Sequence, residues 1–136
     1  MKITICGSMV FSEKQLEVKS VLEDLGHEVF ISRFTGEYVG KTDGEIASRT
    51  IHNKKANDAM TEHWELIKKS DAILVLNYPK NGIDNYVGGN TFLEIGFAHV
   101  LKKRIFLLNR IPEIGYRSEI EAANPVVLNG DLALIR

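Results

Sequence analysis

Short, nearly continuous apolar runs that alternate with helix-patterned segments restrict this chain more than any other feature. Residues 2–6, 28–31, 72–76, 104–108 and 126–128 are built mainly from Ile, Val, Leu, Phe and Ala. A half-exposed strand alternates apolar and polar residues, whereas a strand apolar throughout is covered on both faces. Helical spacing fills the intervals: Val18, Val21, Leu22 and Leu25, then Ala56, Met60, Trp64 and Ile67, then the segment from Thr91 to Lys103. Strands alternating with helices predict a parallel sheet with helices on both sides, and right-handed crossovers leave few strand orders. The expected fold is α/β: one domain over residues 1–136 with a three-layer, five-stranded parallel sheet, flavodoxin-like or Rossmann-like.

Local punctuation sets the expected helix ends. Ser12 and Gln15 match a capping box, Phe11 and Leu16 a hydrophobic staple, and Gly26 a C-terminal stop. A second helix is expected to begin after Asp43 and run to about Ile67, weakly patterned in its first half. A short helix around residues 117–123 precedes the last strand.

Open sheets of this kind bind ligands outside the carboxyl ends of the strands, where the strand order reverses. That singles out two loops. Gly7-Ser8 follows the first strand, and Gly88-Gly89-Asn90 opens the helix after the third. A helix that starts there directs free N–H groups and its positive dipole end at a ligand. Glu94, one turn inside, has two readings. It is a nucleophile, or it is the second half of a capping box with Thr91, worth about 1 kcal/mol. Gly96 costs roughly 1 kcal/mol against alanine within a helix; with Ala98, it suggests that another segment or a ligand comes close.

Several common uses of the architecture drop out. There is no Gly-x-Gly-x-x-Gly for a dinucleotide, no Gly-x-x-x-x-Gly-Lys-Ser/Thr for a P-loop, and no Gly-x-Ser-x-Gly elbow. A phosphoacceptor domain needs acids at the strand ends, yet the first strand leads into Gly7-Ser8 and the third into Asn77. A net charge of −1 without a long basic block argues against nucleic acid as partner. The single cysteine, Cys6, has no partner for an intrachain disulfide and fits a reducing cytoplasm, where it reads as a small core residue. His63 borders the apolar stripe of its helix and reads as packed; with no second His or Cys at ligand spacing, neither metal nor cofactor is expected. No apolar stretch is long enough for a membrane span, and Gly7-Ser8 interrupts the amino-terminal run without a cleavage site.

Taken together, Ile5-Cys6-Gly7-Ser8, the stretch Lys69-Ser70-Asp71-Ala72-Ile73-Leu74-Val75, and the glycine loop followed by Glu94-Ile95-Gly96-Phe97-Ala98 and Lys103-Arg104-Ile105 resemble the nucleoside 2-deoxyribosyltransferase superfamily, which includes the 2′-deoxynucleoside 5′-phosphate N-hydrolases. The resemblance spans roughly residues 2–110. It implies cleavage or transfer at the N-glycosidic bond of a nucleoside or its 5′-monophosphate, with Glu94 as nucleophile and Asp71 as an acid that positions the sugar or base. It also implies that Gly7, Ser8, Gly88, Gly89 and Asn90 contact sugar or phosphate. The chain departs from the pattern in more than one place: free-nucleoside transferases carry an acid in the loop before the catalytic glutamate, where this chain has glycine or asparagine unless Asp84 substitutes. Hydrolase relatives carry an arginine shortly after the Gly-Ser pair, and here Met9-Val10-Phe11 follows.

Two expectations complete the reading. The polar segment 33–44 is either a lid over the ligand or a surface connection. Trp64, Phe92, Phe97 and His99 are more large side chains than one sheet face covers, and relatives complete their pocket with a neighbouring subunit, so a homodimer or larger assembly is expected. The rival from another class is a non-catalytic nucleotide-binding or sensing domain in which Glu94 only caps its helix.

Overall fold

The computed structural model describes residues 1–136. Five strands, β1 (Lys2–Cys6), β2 (Glu28–Phe30), β3 (Ala72–Val75), β4 (Arg104–Leu107) and β5 (Val126–Val127), form one sheet in the order β2-β1-β3-β4-β5. Every pairing is parallel, with Ile5 opposite Leu74 and Leu74 opposite Phe106. Two-residue alternation sends successive side chains to opposite faces, so each strand feeds two cores. Ile3, Ile5, Leu74 and Phe106 pack with Val18 and Leu22 of helix α1 (Ser12–Asp24). Cys6, Ile73, Val75, Ile105 and Leu107 pack on the other side, against α3 (Ala59–Lys69), α4 (Gly89–Val100) and α5 (Arg117–Ala122), through Ile67, Ile95 and Ile120. This is the expected three-layer arrangement, and its order reverses between β1 and β3.

The structure departs from the predicted helices in three places. Helix α1 has no capping box: Phe11 is its N-cap, Ser12 donates its hydroxyl to the Met9 carbonyl, and Ser8 caps the 3-10 turn Met9–Phe11 instead. Ser12 and Gln15 lie on the buried face with Val18 and Leu22, while Val21 and Leu25 stand about half exposed. The long second helix is two, α2 (Asp43–Ala56) and α3, broken where Asp58 takes a left-handed φ of 46° and accepts a hydrogen bond from the Thr61 amide. Segment 33–44 is packed in its first half and exposed from Val39 onward. Its 3-10 turn Thr35–Tyr38 buries Phe34 and Tyr38 against Ile46 of α2, and the Tyr38 hydroxyl accepts from Asn53 Nδ2 at 2.8 Å.

Beyond the last paired residue of β3, Asn77 clamps the carboxyl edge. It is fully buried; its Nδ2 donates to the carbonyls of Asn109 and Arg110 at 3.0 Å, and its Oδ1 accepts from the Asn109 amide at 2.9 Å. The following loop turns back on itself at Asn81 and Gly82, both left-handed, with Lys80 bridging Ile83. No helix is long and apolar enough to cross a membrane.

Candidate active site

Loops after β1 and β3 meet at the point where the strand order reverses. Gly7 lies so close to the third-strand segment that a Cβ there would stand 3.3 Å from the Leu76 carbonyl oxygen, so the contact favours a residue without a side chain. Gln15 Nε2 donates to the Ser8 carbonyl at 3.3 Å and ties the loop to α1. Ser8 Oγ accepts from Lys80 Nζ at 2.9 Å, which brings a cation from the β3–α4 loop onto the Gly-Ser turn.

Helix α4 begins at Gly88, which caps it with backbone alone, and neither Thr91 nor Glu94 forms a capping box. Glu94 is therefore free of the helix end. Its side chain, in a residue only 6% exposed, turns inward: Oε1 accepts from Asn90 Nδ2 at 3.0 Å, and Oε2 stands 2.9 Å from His63 Nε2. The second contact is a close charge contact rather than an aligned hydrogen bond, since Oε2 has no directed donor. Gly96 faces open space, so the close approach expected there is absent; Ala98 is the buried small residue.

His63 comes from α3, one turn before Ile67 on the same buried stripe, and Cys6 from the carboxyl end of β1. His63 Nε2 lies 3.5 Å from Cys6 Sγ. Burial opposes charging the imidazole, but the Glu94 carboxylate and the Ile5 carbonyl outweigh it and raise its pKa above the ordinary histidine value. Burial, with the same carboxylate alongside, pushes the Cys6 thiol well above its usual range, so it stays protonated. The site thus holds a neutral thiol and an imidazole whose hold on a second proton is strengthened by the facing carboxylate. Linear spacing gave no hint of this set, because its three members sit on a strand and two helices and meet only in the fold.

Of the residues singled out by sequence, Gly7, Asn90 and Glu94 line one cleft with His63, walled by Phe34 and Tyr38. Ser8 adjoins it through the Gly7-Ser8 turn. Gly88 and Gly89 form the start of α4, below Asn90. Asp71 does not belong to the site. It precedes β3, at the amino edge of the sheet, and its Oδ2 accepts from the Lys2 amide at 2.7 Å. A carboxylate at that edge is separated from Glu94 by the length of the strand.

No protein-family model matches the sequence, and no curated protein matches it. Among solved structures, the fold is similar to that of the CMP N-glycosidase BcmB from Clostridium botulinum. The TM-score is 0.52 at 18% sequence identity, over 93% of this chain and 85% of the other.

Proposed function

We propose that this chain acts as one N-(deoxy)ribosyltransferase-like domain that cleaves or transfers at the N-glycosidic bond of a (deoxy)nucleoside or its 5′-monophosphate. The observation that carries this reading is Glu94: a carboxylate buried at the switch point, free of any capping duty and held 2.9 Å from His63 Nε2. A fold shared with a nucleotide N-glycosidase supports it.

Glycosidic bonds break through an oxocarbenium-like state that a carboxylate can stabilise and trap. In the proposed cycle Glu94 attacks the anomeric carbon, the bond to the base breaks, and a glycosyl ester forms. Esterification removes the negative charge that held the His63 proton. His63 then becomes the stronger acid and gives that proton to the departing base. Water, or a second base, attacks the ester while His63 takes a proton back, which restores both groups. Asn90 fixes the rotamer of Glu94 throughout.

Lys80 addresses the departure noted after the Gly-Ser pair. The missing arginine leaves that turn without a local cation, and the Lys80 ammonium on Ser8 Oγ supplies one from another loop. Gly7, Ser8, Gly88 and Gly89 would then frame a sugar or phosphate between the two loops. Incubation with a panel of deoxynucleosides and their monophosphates, with chromatography for free base, tests the reading. Release is expected with monophosphates above all, and Lys80→Ala should raise their KM while leaving any turnover of free nucleosides nearly unchanged.

Cleft size does not separate this reading from the rival, a non-catalytic nucleotide-binding or sensing domain, since both must admit a nucleotide. The cleft beside Glu94 encloses only about 50 Å³, room for one or two waters. Entry of a nucleoside therefore requires the Phe34–Tyr38 wall to move. A tight-binding panel member that is never cleaved would favour that rival.

Assembly is also proposed. Leu93, Phe97 and Val100 form an outward stripe on α4 beside Trp64 of α3, with Leu93 and Val100 exposed. Phe92, by contrast, stacks on Tyr116 at 4.5 Å and is used within the chain. A second copy meeting this stripe across a two-fold axis covers the same patch on both chains. Light scattering on a dilute sample should give about twice the 15.3 kDa chain mass; a monomer would remove the interface.

A further inference from the structure

Cys6, His63 and Glu94 are arranged in a way that attack by a carboxylate does not require. Cys6 Sγ, His63 Nε2 and one Glu94 oxygen all lie within 4.8 Å of one another. Thiolate, imidazole and carboxylate together are the donor set of zinc. Tetrahedral zinc with bonds of about 2.3 Å to sulfur and about 2.0 Å to nitrogen holds those two atoms roughly 3.5 Å apart. The observed sulfur to nitrogen separation is 3.5 Å. On the same geometry, oxygen and nitrogen would stand about 3.3 Å apart, against 2.9 Å here, a difference that a small carboxylate rotation absorbs.

Glu94 Oε2 is buried, and its close polar neighbour is His63 Nε2 at 2.9 Å. Each donor also rides on a regular element, β1, α3 or α4, so the triangle is fixed by the sheet and its two covering helices.

We propose that Cys6 Sγ, His63 Nε2 and Glu94 Oε2 form a three-ligand site for a zinc-like divalent cation, whose fourth position faces the cleft. Entry of the ion releases the thiol proton, and any proton on Nε2, to solvent; the two positive charges are then matched by a thiolate and a carboxylate. Coordination takes the Glu94 carboxylate out of use as a nucleophile, so zinc inhibits base release reversibly; the inhibition, unlike the binding, rests on the function proposed above.

The test is titration of the metal-free full chain with Co2+, read by absorption. One equivalent should produce a thiolate-to-cobalt charge-transfer band together with the visible bands of tetrahedral cobalt, and one equivalent of Zn2+ should remove both. Cys6→Ser should lose the charge-transfer band, and Glu94→Gln should keep it while weakening binding at least tenfold. Circular dichroism establishes that both variants are folded; should Cys6→Ser fail to fold, the Glu94→Gln titration and Zn2+ displacement decide. A wild-type chain with no charge-transfer band, a folded Cys6→Ser chain that retains it, or a Glu94→Gln chain that binds Co2+ as tightly as the wild type overturns the site. If the bands appear as expected but Zn2+ leaves base release intact, the metal site stands and the role of Glu94 as nucleophile falls.

Discussion

Glu94→Gln is expected to abolish base release by several orders of magnitude while leaving the fold and ligand affinity close to those of the wild type. Glutamine keeps the length of the side chain and an oxygen for Asn90 Nδ2, but it cannot form the glycosyl ester, so the loss falls on kcat. Imidazole 63 loses its counter-charge and becomes neutral, which avoids an unpaired buried cation. The capping alternative makes the opposite prediction, a fall in melting temperature with turnover unchanged. Gly88 already caps α4 without side-chain help, so little stability should depend on this position. Single-turnover base release and a thermal melt on the same preparation separate the two.

The second large effect is expected at His63. His63→Gln should lower kcat by roughly 10²–10⁴-fold, the range for loss of a general acid and base. A readout that mere packing would not move is the pH dependence of stability, measured with a chelator present. The folded-state pKa of His63 lies above the unfolded value of about 6.5, so the folded chain holds the proton more tightly. The resulting stabilisation is complete below the unfolded value and is lost as the pH rises through the folded one. The melting temperature of the wild type should therefore exceed that of His63→Gln most at mildly acidic pH, and the gap should shrink on going alkaline. A gap that stays constant between those limits would reduce His63 to a packing residue.

The strands were legible because doubly covered strands have almost no choice of composition: Ile73 and Leu74, adjacent in sequence, both had to be apolar to serve two cores. Helix faces were less so. Val21 and Leu25 fit the apolar period as well as Val18 and Leu22, and Gln15 faces inward in their place, its Nε2 donating to the Ser8 carbonyl. Thr91 and Glu94 matched a capping box in spacing, but a box also needs Thr91 at the helix boundary, and Gly88 starts the helix three residues earlier. His63 was visible as a member of the stripe that includes Met60 and Ile67. Periodicity reports that a side chain is buried, however, and not what it meets; Cys6 and Glu94 reach it only through the crossovers. Asp71 was misplaced for a related reason, since a resemblance in order along the chain does not say which end of a strand a residue occupies.

The small cluster of Phe34, Tyr38 and Ile46 is separate from both sheet cores. A unit of three buried side chains, with Met9, Val10 and Ala59 packed against it, is expected to open by local unfolding at a free-energy cost below that of melting the sheet. On the proposed function, ligand exchange would then be uncoupled from global stability. Substitutions in the Phe34–Tyr38 wall can retune how often the cleft opens, and hence the size of the guest it admits, while the melting temperature continues to report on the sheet.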